Sequence, residues 1–304
     1  MALLNEKALH MKLDTRLYND LKRAAADNHM SLASVVRMAC SEWLRKDRQG
    51  HKYLQQDEIL AAHQSMVGQS DEVYYKRKQT VFPADDGLAD KFTLSVENNI
   101  FIAKRNIVDY IWKSAKLEGI AVTYPNTDAI YNGFIVSGMH VDDIQAINNL
   151  KHAWRFILET TDYPSNYALI CKINQYVGSN LFHKSGNIRT VPVSIGGTNW
   201  KPEIPIESQI KEELNEVFAI KSKTGKAITL MLYLMRKQMF IDGNKRTAML
   251  AANHAMITAG VGIISIPIEM QEQFRELLVQ YYESNEIDEI KQFIYEKCID
   301  GIDL

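Results

Sequence analysis

The sequence predicts a mainly helical protein in two parts, with a small strand-helix-helix module ahead of a larger helical domain. At 304 residues, 46% of them hydrophobic, the chain can bury a full core, and its length favours two domains. Late in the chain, apolar residues recur at helical spacing on both sides of a polar loop. Near the N-terminus, by contrast, side chains alternate over a short segment. We expect a module at 1–47, a helical connector at 48–95 and a domain at 96–304.

The charge distribution marks the N-terminal end as the basic one. The first 50 residues contain nine Lys and Arg against six Asp and Glu, a formal +3, which leaves −5 for the rest of a chain whose total is −2. Three distant cysteines, Cys40, Cys171 and Cys298, each lie in an apolar helical pattern and predict reduced core residues. No apolar run approaches the roughly 20 residues needed to cross a bilayer, so we expect a cytoplasmic protein.

The module begins with a predicted half-buried strand from Ala8 to Leu13. One side of this strand is formed by Leu9, Met11 and Leu13, and the other by Ala8, His10 and Lys12. Thr15 can cap a first helix that ends near Asn28 or His29, and Ser31 can cap a second helix. These three elements leave too much apolar surface for a monomer, so the module should gain its core by dimerising.

This arrangement resembles the ribbon-helix-helix family over almost all of residues 7–47. The resemblance implies paired antiparallel strands in the DNA major groove, where outward side chains read bases. Those side chains are Ala8, His10 and Lys12. The start of the second helix, around Ser31, would hold a DNA phosphate. The alternative is a module that only dimerises, with His10 and Lys12 on a solvated strand face.

The connector is polar and of mixed charge, with one helical pattern near Tyr53–Met66 and a turn-rich segment at Pro83–Gly87. Alternating charges of this kind are typical of a solvated face. We assign no chemistry to the connector.

The segment that carries chemistry reads QMFIDGNKRT from Gln238 to Thr247. It lies between two apolar helical runs, Ala227–Met235 and Ala248–Ile257, the second of which ends at Gly260. The segment is therefore predicted to be a loop between two buried helices. The alternative is a surface turn with chance charges, which the buried helices on both sides disfavour.

The residue types in this loop predict an anion site. Gly243 and Asn244 allow a turn with converging N–H groups, and Lys245 and Arg246 add two cations at a helix N-terminus. Asp242 can hold Mg²⁺ while phosphate oxygens complete its octahedron. The loop is thus suited to phosphates.

The loop resembles the signature of the Fic/Doc family, HxFx(D/E)(G/A)N(G/K)R. Three other regions support the resemblance, which spans about residues 96–304. Ile144–Ile157 resembles an early core helix, residues 187–205 resemble the flap hairpin with its Pro-rich exit, and Phe274–Ile302 resembles the closing helices. The expected fold is an all-helical core with a small β-hairpin flap.

A further segment, Ser114 to Gly119 (SAKLEG), follows a predicted helix from about Ile100. It resembles the family's inhibitory motif, in which Ser114 and Glu118 would obstruct the nucleotide site. The resemblance also implies Mg²⁺ and ATP or another nucleoside triphosphate as cofactors. A target protein would be held at the flap by strand addition through Thr190, Val191, Val193 and Ile195.

Three departures from the family pattern affect the chemistry. The family's base, a His, is Gln238 here, and an amide cannot act as a base. Lys245 is typical of the Doc branch, which transfers phosphate. Met249 replaces a second Arg, so the usual γ-phosphate clamp and the usual partner of Glu118 are missing. We expect Lys245 or Arg246 to pair with Glu118 instead, and His254 to serve in packing or capping.

Two functions remain from the sequence. The first is an enzyme, DNA-associated and of a toxin-like kind, that transfers AMP or phosphate to a protein hydroxyl, with Gln238 orienting the nucleophile. The second is a catalytically silent Fic fold that acts as a DNA-bound regulator or antitoxin-like scaffold.

Overall fold

The computed structural model describes residues 15–27 and 82–302, which belong to two compact units, Met1–Arg77 and Lys78–Leu304. Of the first unit it describes one helix, α1, at Thr15–Asp27, where the sequence predicts the module's first helix. The predicted strand, the second helix, Cys40 and the four DNA-contacting residues lie outside the described residues, and their roles stay predictions. The second unit begins ahead of the predicted domain start at residue 96.

Helices dominate the second unit. In chain order they are α2 Val96–Leu117, α3 Tyr124–Tyr131, α4 Val141–Glu159, α5 Tyr167–Val177, α6 Glu207–Phe218, α7 Lys223–Lys237, α8 Asn244–Ala259, α9 Gln271–Ser284 and α10 Asp288–Lys297. A 3₁₀ turn covers Ile268–Met270, and two short antiparallel strands, β1 Ile263–Ile264 and β2 Ile299–Asp300, form a small sheet. No helix in the described ranges is long and apolar enough to span a bilayer.

Helices α7 and α8 form the centre of this unit, as the apolar runs predict. Between Ala227 and Met235 every side chain of α7 is buried, so this helix is enclosed on all sides. Its first turn is capped by the Ser222 hydroxyl, which accepts from the Gly225 N–H. Helix α8 packs on α7, α5, α4 and α2, and ends at Gly260 with φ 69°, the left-handed conformation that glycine tolerates.

Residues 82–94, which we call the strap, pack against the ends of α7 and α8 that are far from the polar loop. The Asp90 carboxylate accepts from the N–H groups of Lys223 and Thr224 at the start of α7. The Leu94 N–H donates to the Gly260 carbonyl at the end of α8. These contacts make the last part of the predicted connector a portion of the helical domain.

A buried ion pair also anchors the strap. The Lys291 ammonium lies 2.7 Å from the Asp86 carboxylate, and their side chains are only 9% and 4% exposed. The neighbouring pair, Lys221 with Asp85, is longer at 3.8 Å and lies in solvent. Of these two successive aspartates, Asp86 therefore anchors the strap in the interior, whereas Asp85 makes only a surface contact.

The predicted hairpin at 187–205 is wrong: the structure has no strand pair in this flap segment, and its small sheet lies at 263–264 and 299–300. Prolines at 192, 202 and 205 remove donors that a hairpin ladder needs. The buried Arg189 side chain instead binds the carbonyl groups of Val191, Pro202 and Glu203. An arginine thus takes the place of cross-strand pairing.

Among the described residues, Cys171 and Cys298 are free thiols as predicted, but only Cys298 is buried in the core, and Cys171 is partly exposed. Burial raises the pKa of Cys298 to about 12, so this thiol stays protonated.

Candidate phosphate-binding site

The polar loop joins α7 to α8 through two left-handed residues. Gln238 ends α7 with φ 48° and ψ 60°, and Gly243 precedes α8 with φ 73°. A Cβ on Gly243 would lie 2.8 Å from the Val177 side chain, so both the turn and the packing require glycine. The loop geometry is therefore set by the helices beneath it.

Asn244 serves this geometry with its side chain. Its oxygen accepts from the Phe240 N–H at 2.9 Å, and its nitrogen donates to the Phe240 carbonyl at 2.8 Å. The predicted contribution of Asn244 to phosphate binding is therefore left to its backbone N–H. No side chain caps the start of α8, so the N–H groups of its first turn lack acceptors within the helix.

Asn174 on α5 is a supporting residue that the sequence analysis missed. Its amide donates to the Asp242 carbonyl and the Thr247 hydroxyl, both at 3.0 Å, and accepts from the Gly186 N–H at 2.7 Å. The signal that could have revealed it is a polar residue on an otherwise apolar helical face. Asn174 joins the loop to the segment that precedes the flap.

Glu118, directly after α2, places a carboxylate against both loop cations. It lies 3.6 Å from the Lys245 ammonium and 3.9 Å from the Arg246 guanidinium. The predicted pairing with these two residues is confirmed. The Glu118 side chain is 16% exposed and that of Arg246 8%, so this pair is shielded from solvent, whereas the Lys245 side chain is 34% exposed. Glu118 Oε1 and Arg246 Nε nevertheless have no hydrogen-bond partner, which makes these charge contacts without hydrogen bonds.

The end of α2 is held in place by α9, a contact that the sequence does not reveal. The Arg275 guanidinium donates to the carbonyl groups of Lys116 and Leu117 at 3.1 and 3.3 Å. The Gln271 amide donates to the Lys113 carbonyl at 2.9 Å. A cation at a helix C-terminus complements the helix dipole as well as the free carbonyl groups.

Ser114 and Met249 lie in the interior of the helical domain. Both are buried, and both line a small cavity together with Tyr110, Trp154 and Ser265. Met249 therefore adds no cation to the site and packs as a core residue. The structure thus brings Glu118 to the two cations of the predicted loop, whereas Ser114 lines this cavity and its predicted inhibitory role stays a prediction.

The side-chain amide of Gln238 is already engaged in a hydrogen bond. Its Nε2 donates to the Met235 carbonyl at 2.6 Å, and its own backbone carbonyl accepts from Arg189 Nε at 2.6 Å. The amide is therefore turned back toward α7. In this conformation it neither acts as a base nor points its NH₂ group at a nucleophile.

Asp242 lies at the open side of the loop, with its side chain 59% exposed. Its Oδ1 accepts from the Gly243 N–H and lies 3.4 Å from the Arg246 guanidinium. Within the described residues, no cluster of three or more His, Cys, Asp or Glu side chains could hold a metal by itself. One carboxylate with phosphate oxygens is a common mode for Mg²⁺, so Asp242 fits a metal that arrives with a nucleotide.

Arg189 connects the flap segment to the loop. Besides its three flap carbonyl groups and that of Gln238, its backbone N–H donates to the Met239 carbonyl at 2.9 Å. Burial lowers the pKa of this guanidinium, which remains charged at neutral pH. The predicted docking residue Val191 is 48% exposed beside this junction.

His254 packs in the core, as predicted. Its ring contacts the Ser165 hydroxyl at 2.7 Å and the Thr160 carbonyl at 3.0 Å. It lies ten positions beyond Asn244 on α8, about 15 Å along the helix, and so cannot replace the missing base at the loop.

Several solved structures share this fold. A Fic-domain signalling protein from Bacteroides thetaiotaomicron superposes with a TM-score of 0.57 and 18% identity, over 67% of this chain and 86% of that one. Fic-1 from C. elegans, residues 134–508, gives 0.53 and 22% over 64% of this chain and 61% of that one. A Fic family protein from Desulfovibrio desulfuricans gives 0.50 and 14%, over 69% and 74%.

At these identities the structural likeness shows the fold alone. No curated protein matches the chain. In the sequence itself, residues 164–256, which include α5, the flap, α7 and nearly all of α8, match the Fic/DOC family. Residues 164–256 are therefore similar to the Fic/DOC family, and the whole α7–α8 loop lies within this matched region.

Proposed function

We propose that this protein is a nucleotide-dependent enzyme that transfers AMP or phosphate to a hydroxyl of a protein. The observation that carries the proposal is the position of Glu118. A carboxylate of the chain itself lies against two cations at an uncapped helix N-terminus, which is where phosphates bind in such sites. The loop thus has the charge and donors for an anion, and Glu118 occupies it.

The roles of the loop residues follow from their contacts. Lys245, Arg246 and the first N–H groups of α8 would hold phosphates once Glu118 moves away. Asp242, which has one carboxylate oxygen free of the Gly243 contact, would hold Mg²⁺, whose bound charge stabilises a transferring phosphoryl group. Positioning and charge stabilisation supply most of the catalysis of phosphoryl transfer.

The absence of a base at Gln238 makes the enzyme slow rather than inert. General-base catalysis contributes about 10² to 10⁴ in rate, and the remaining contributions come from groups that are present in the loop. Gln238 would orient the acceptor hydroxyl only after its amide releases the Met235 carbonyl. A transfer rate that varies little with pH between 6 and 8 is expected.

The target protein would bind along the flap segment. This segment forms no sheet pairing of its own, Val191 in it is exposed, and Arg189 fixes it to the start of the loop. An extended peptide could add to such backbone as a strand. The acceptor hydroxyl would then be brought to the loop by the same arginine contact.

Transfer is tested by incubating the full chain with Mg²⁺ and ATP, labelled at the α- or γ-phosphate, in a cell extract. Labelled protein with α-label indicates AMP transfer, and with γ-label phosphate transfer. Arg246→Ala should abolish both, whereas Lys211→Ala, which removes an exposed cation on α6, should abolish neither. If no label is transferred, calorimetry shows whether ATP binds at all. Binding of ATP without any transfer contradicts the proposed enzymatic function and indicates the silent, ligand-sensing regulator.

A further inference from the structure

A second chemically distinctive group lies away from the phosphate-binding loop. Ser165, just before α5, has its hydroxyl 2.7 Å from His254 Nδ1. On the other side of the ring, His254 Nε2 lies 3.0 Å from the Thr160 carbonyl. The Ser165 hydroxyl, the His254 imidazole and the Thr160 carbonyl are thus connected by two consecutive hydrogen bonds.

The carbonyl determines where the protons lie. A carbonyl oxygen can only accept, so Nε2 must carry the hydrogen and donate it to Thr160. Nδ1 is then the unprotonated nitrogen, and the Ser165 hydroxyl donates to it. A nucleophile that donates to a base, with the base oriented by a third group, is the arrangement of an activated hydroxyl.

The surroundings keep the base neutral. His254 is fully buried, and this burial lowers the pKa of its imidazole. The ring is therefore an available proton acceptor at pH 7. The Thr160 carbonyl favours the charged ring that forms when Nδ1 takes a proton.

Ser165 lies at a partly exposed position of the domain. Its neighbours Pro164 and Asn166 are exposed. Helix α5 begins at Tyr167, where the Asn166 side chain caps only the Leu169 N–H. The N–H groups of the first two helical residues lack acceptors within the helix, and a helix N-terminus of this kind favours a negatively charged oxygen.

We propose that Ser165 is a base-activated hydroxyl that accepts a phosphoryl-type group, with His254 as its base. The donor in solution would be a nucleoside triphosphate held by the loop of a second copy of the chain. The assignment of this donor rests on the proposed function. A second copy is required because the rigid α8 keeps His254 about 15 Å from the loop of its own chain.

The transfer step balances in atoms and electrons. The Ser165 oxygen forms a bond to phosphorus, and its proton passes to His254 Nδ1. The bond from phosphorus to the leaving oxygen breaks, releasing pyrophosphate from an attacked α-phosphate or a nucleoside diphosphate from an attacked γ-phosphate. Such an acceptor contributes its own base, which is what an enzyme with Gln238 at the loop lacks.

The first experiment treats the full chain with a fluorophosphonate, which loses fluoride when a hydroxyl attacks its phosphorus, and maps the adduct by peptide mass spectrometry. We expect Ser165 to react about 10²-fold faster than the exposed flap residue Ser194, the gain typical of a positioned base. Unfolding in urea should remove this difference. Equal labelling of the two serines in the folded chain would overturn the proposal.

Variants sharpen this result. His254→Asn should reduce labelling of Ser165 to the rate of Ser194, with folding checked by circular dichroism. Ser165→Ala should remove the adduct from the peptide, while Ser194→Ala should leave it. Because the comparison of two serines in the unaltered chain needs no substitution, a misfolded His254 variant would not obscure the outcome.

The second experiment mixes Ser165→Ala, as donor, with Arg246→Ala, as acceptor, in a cell extract that contains Mg²⁺ and labelled ATP. Label on Ser165 of the Arg246→Ala chain supports transfer between copies. Label on other proteins but not on Ser165 overturns the donor clause. Fluorophosphonate labelling without any transfer from ATP overturns the proposed function while the activated hydroxyl stands.

Discussion

The two ends of the α7–α8 helix pair differ in how completely their polar groups are matched. At the strap end, Asp90 caps α7 with two hydrogen bonds, and Asp86 meets Lys291 at 2.7 Å in the interior. At the loop end, Glu118 lies more than 3.5 Å from each of its two cations, and buried atoms of this group have no hydrogen-bond partner.

This difference separates stability from function along one pair of helices. Paired and capped groups at the strap end fix the helices, so the loop end can keep groups that are not matched to each other. Unmatched charges in a shielded place are costly unless a ligand supplies what is missing. The loop end therefore has the character of a binding site, and the strap end that of an anchor.

The largest expected effect is on the buried pair at the strap end. Lys291→Met would leave the Asp86 carboxylate buried without its partner, which should lower the free energy of unfolding by about 3–5 kcal/mol. Urea denaturation followed by circular dichroism measures this loss. Lys221→Met is the matched control, because its partner Asp85 is the residue just before Asp86 but lies in solvent. This substitution should hardly change the free energy of unfolding. Equal effects of the two substitutions would contradict the division between the ends.

The next effect concerns the loop end and appears in binding rather than stability. Glu118→Gly removes the carboxylate that competes for Lys245 and Arg246, and should tighten ATP binding by about tenfold, or about 1.4 kcal/mol. Calorimetry with Mg²⁺ and ATP gives the affinity, and thermal unfolding gives the stability, which should remain close to that of the unaltered protein. If affinity stays constant, Glu118 does not obstruct the site.

The smallest effect tests whether the two ends are independent. Ser222→Ala removes the hydroxyl that caps the start of α7 and should cost about 1 kcal/mol of stability. Its ATP affinity should equal that of the unaltered protein, because the cap lies at the opposite end of α7 from the loop. A clear change in affinity would show that the ends are coupled through the helix.

Helices and loop were predictable because local sequence determines them. The apolar runs before and after the loop, the Gly260 terminus and the turn at Gly243 each follow from side-chain pattern or backbone freedom. The pairing of Glu118 with the loop cations was predictable as well, because Met249 replaces the arginine that pairs with this glutamate in the Fic/Doc pattern. These features depend on few residues that are close in sequence or share one motif.

Contacts between distant segments could not be predicted. Nothing near Arg189 indicates that its guanidinium binds carbonyl groups of residues 191, 202 and 203 in place of a hairpin. Asp86 and Asp85 look equivalent in sequence, and only the position of Lys291, 205 residues away, distinguishes them. The Ser165–His254 contact likewise joins residues 89 positions apart.

The attachment of Glu118 to a fixed helix end has a consequence for how the protein responds to its surroundings. Because Arg275 and Gln271 hold that end of α2, the carboxylate is a tethered competitor, present at an effective concentration that does not vary. Under the proposed function, the nucleotide is the competitor whose concentration varies. The nucleotide should therefore occupy the loop only when its concentration in the cell exceeds a fixed value. Any partner that draws Arg275 away from α2 would lower that concentration.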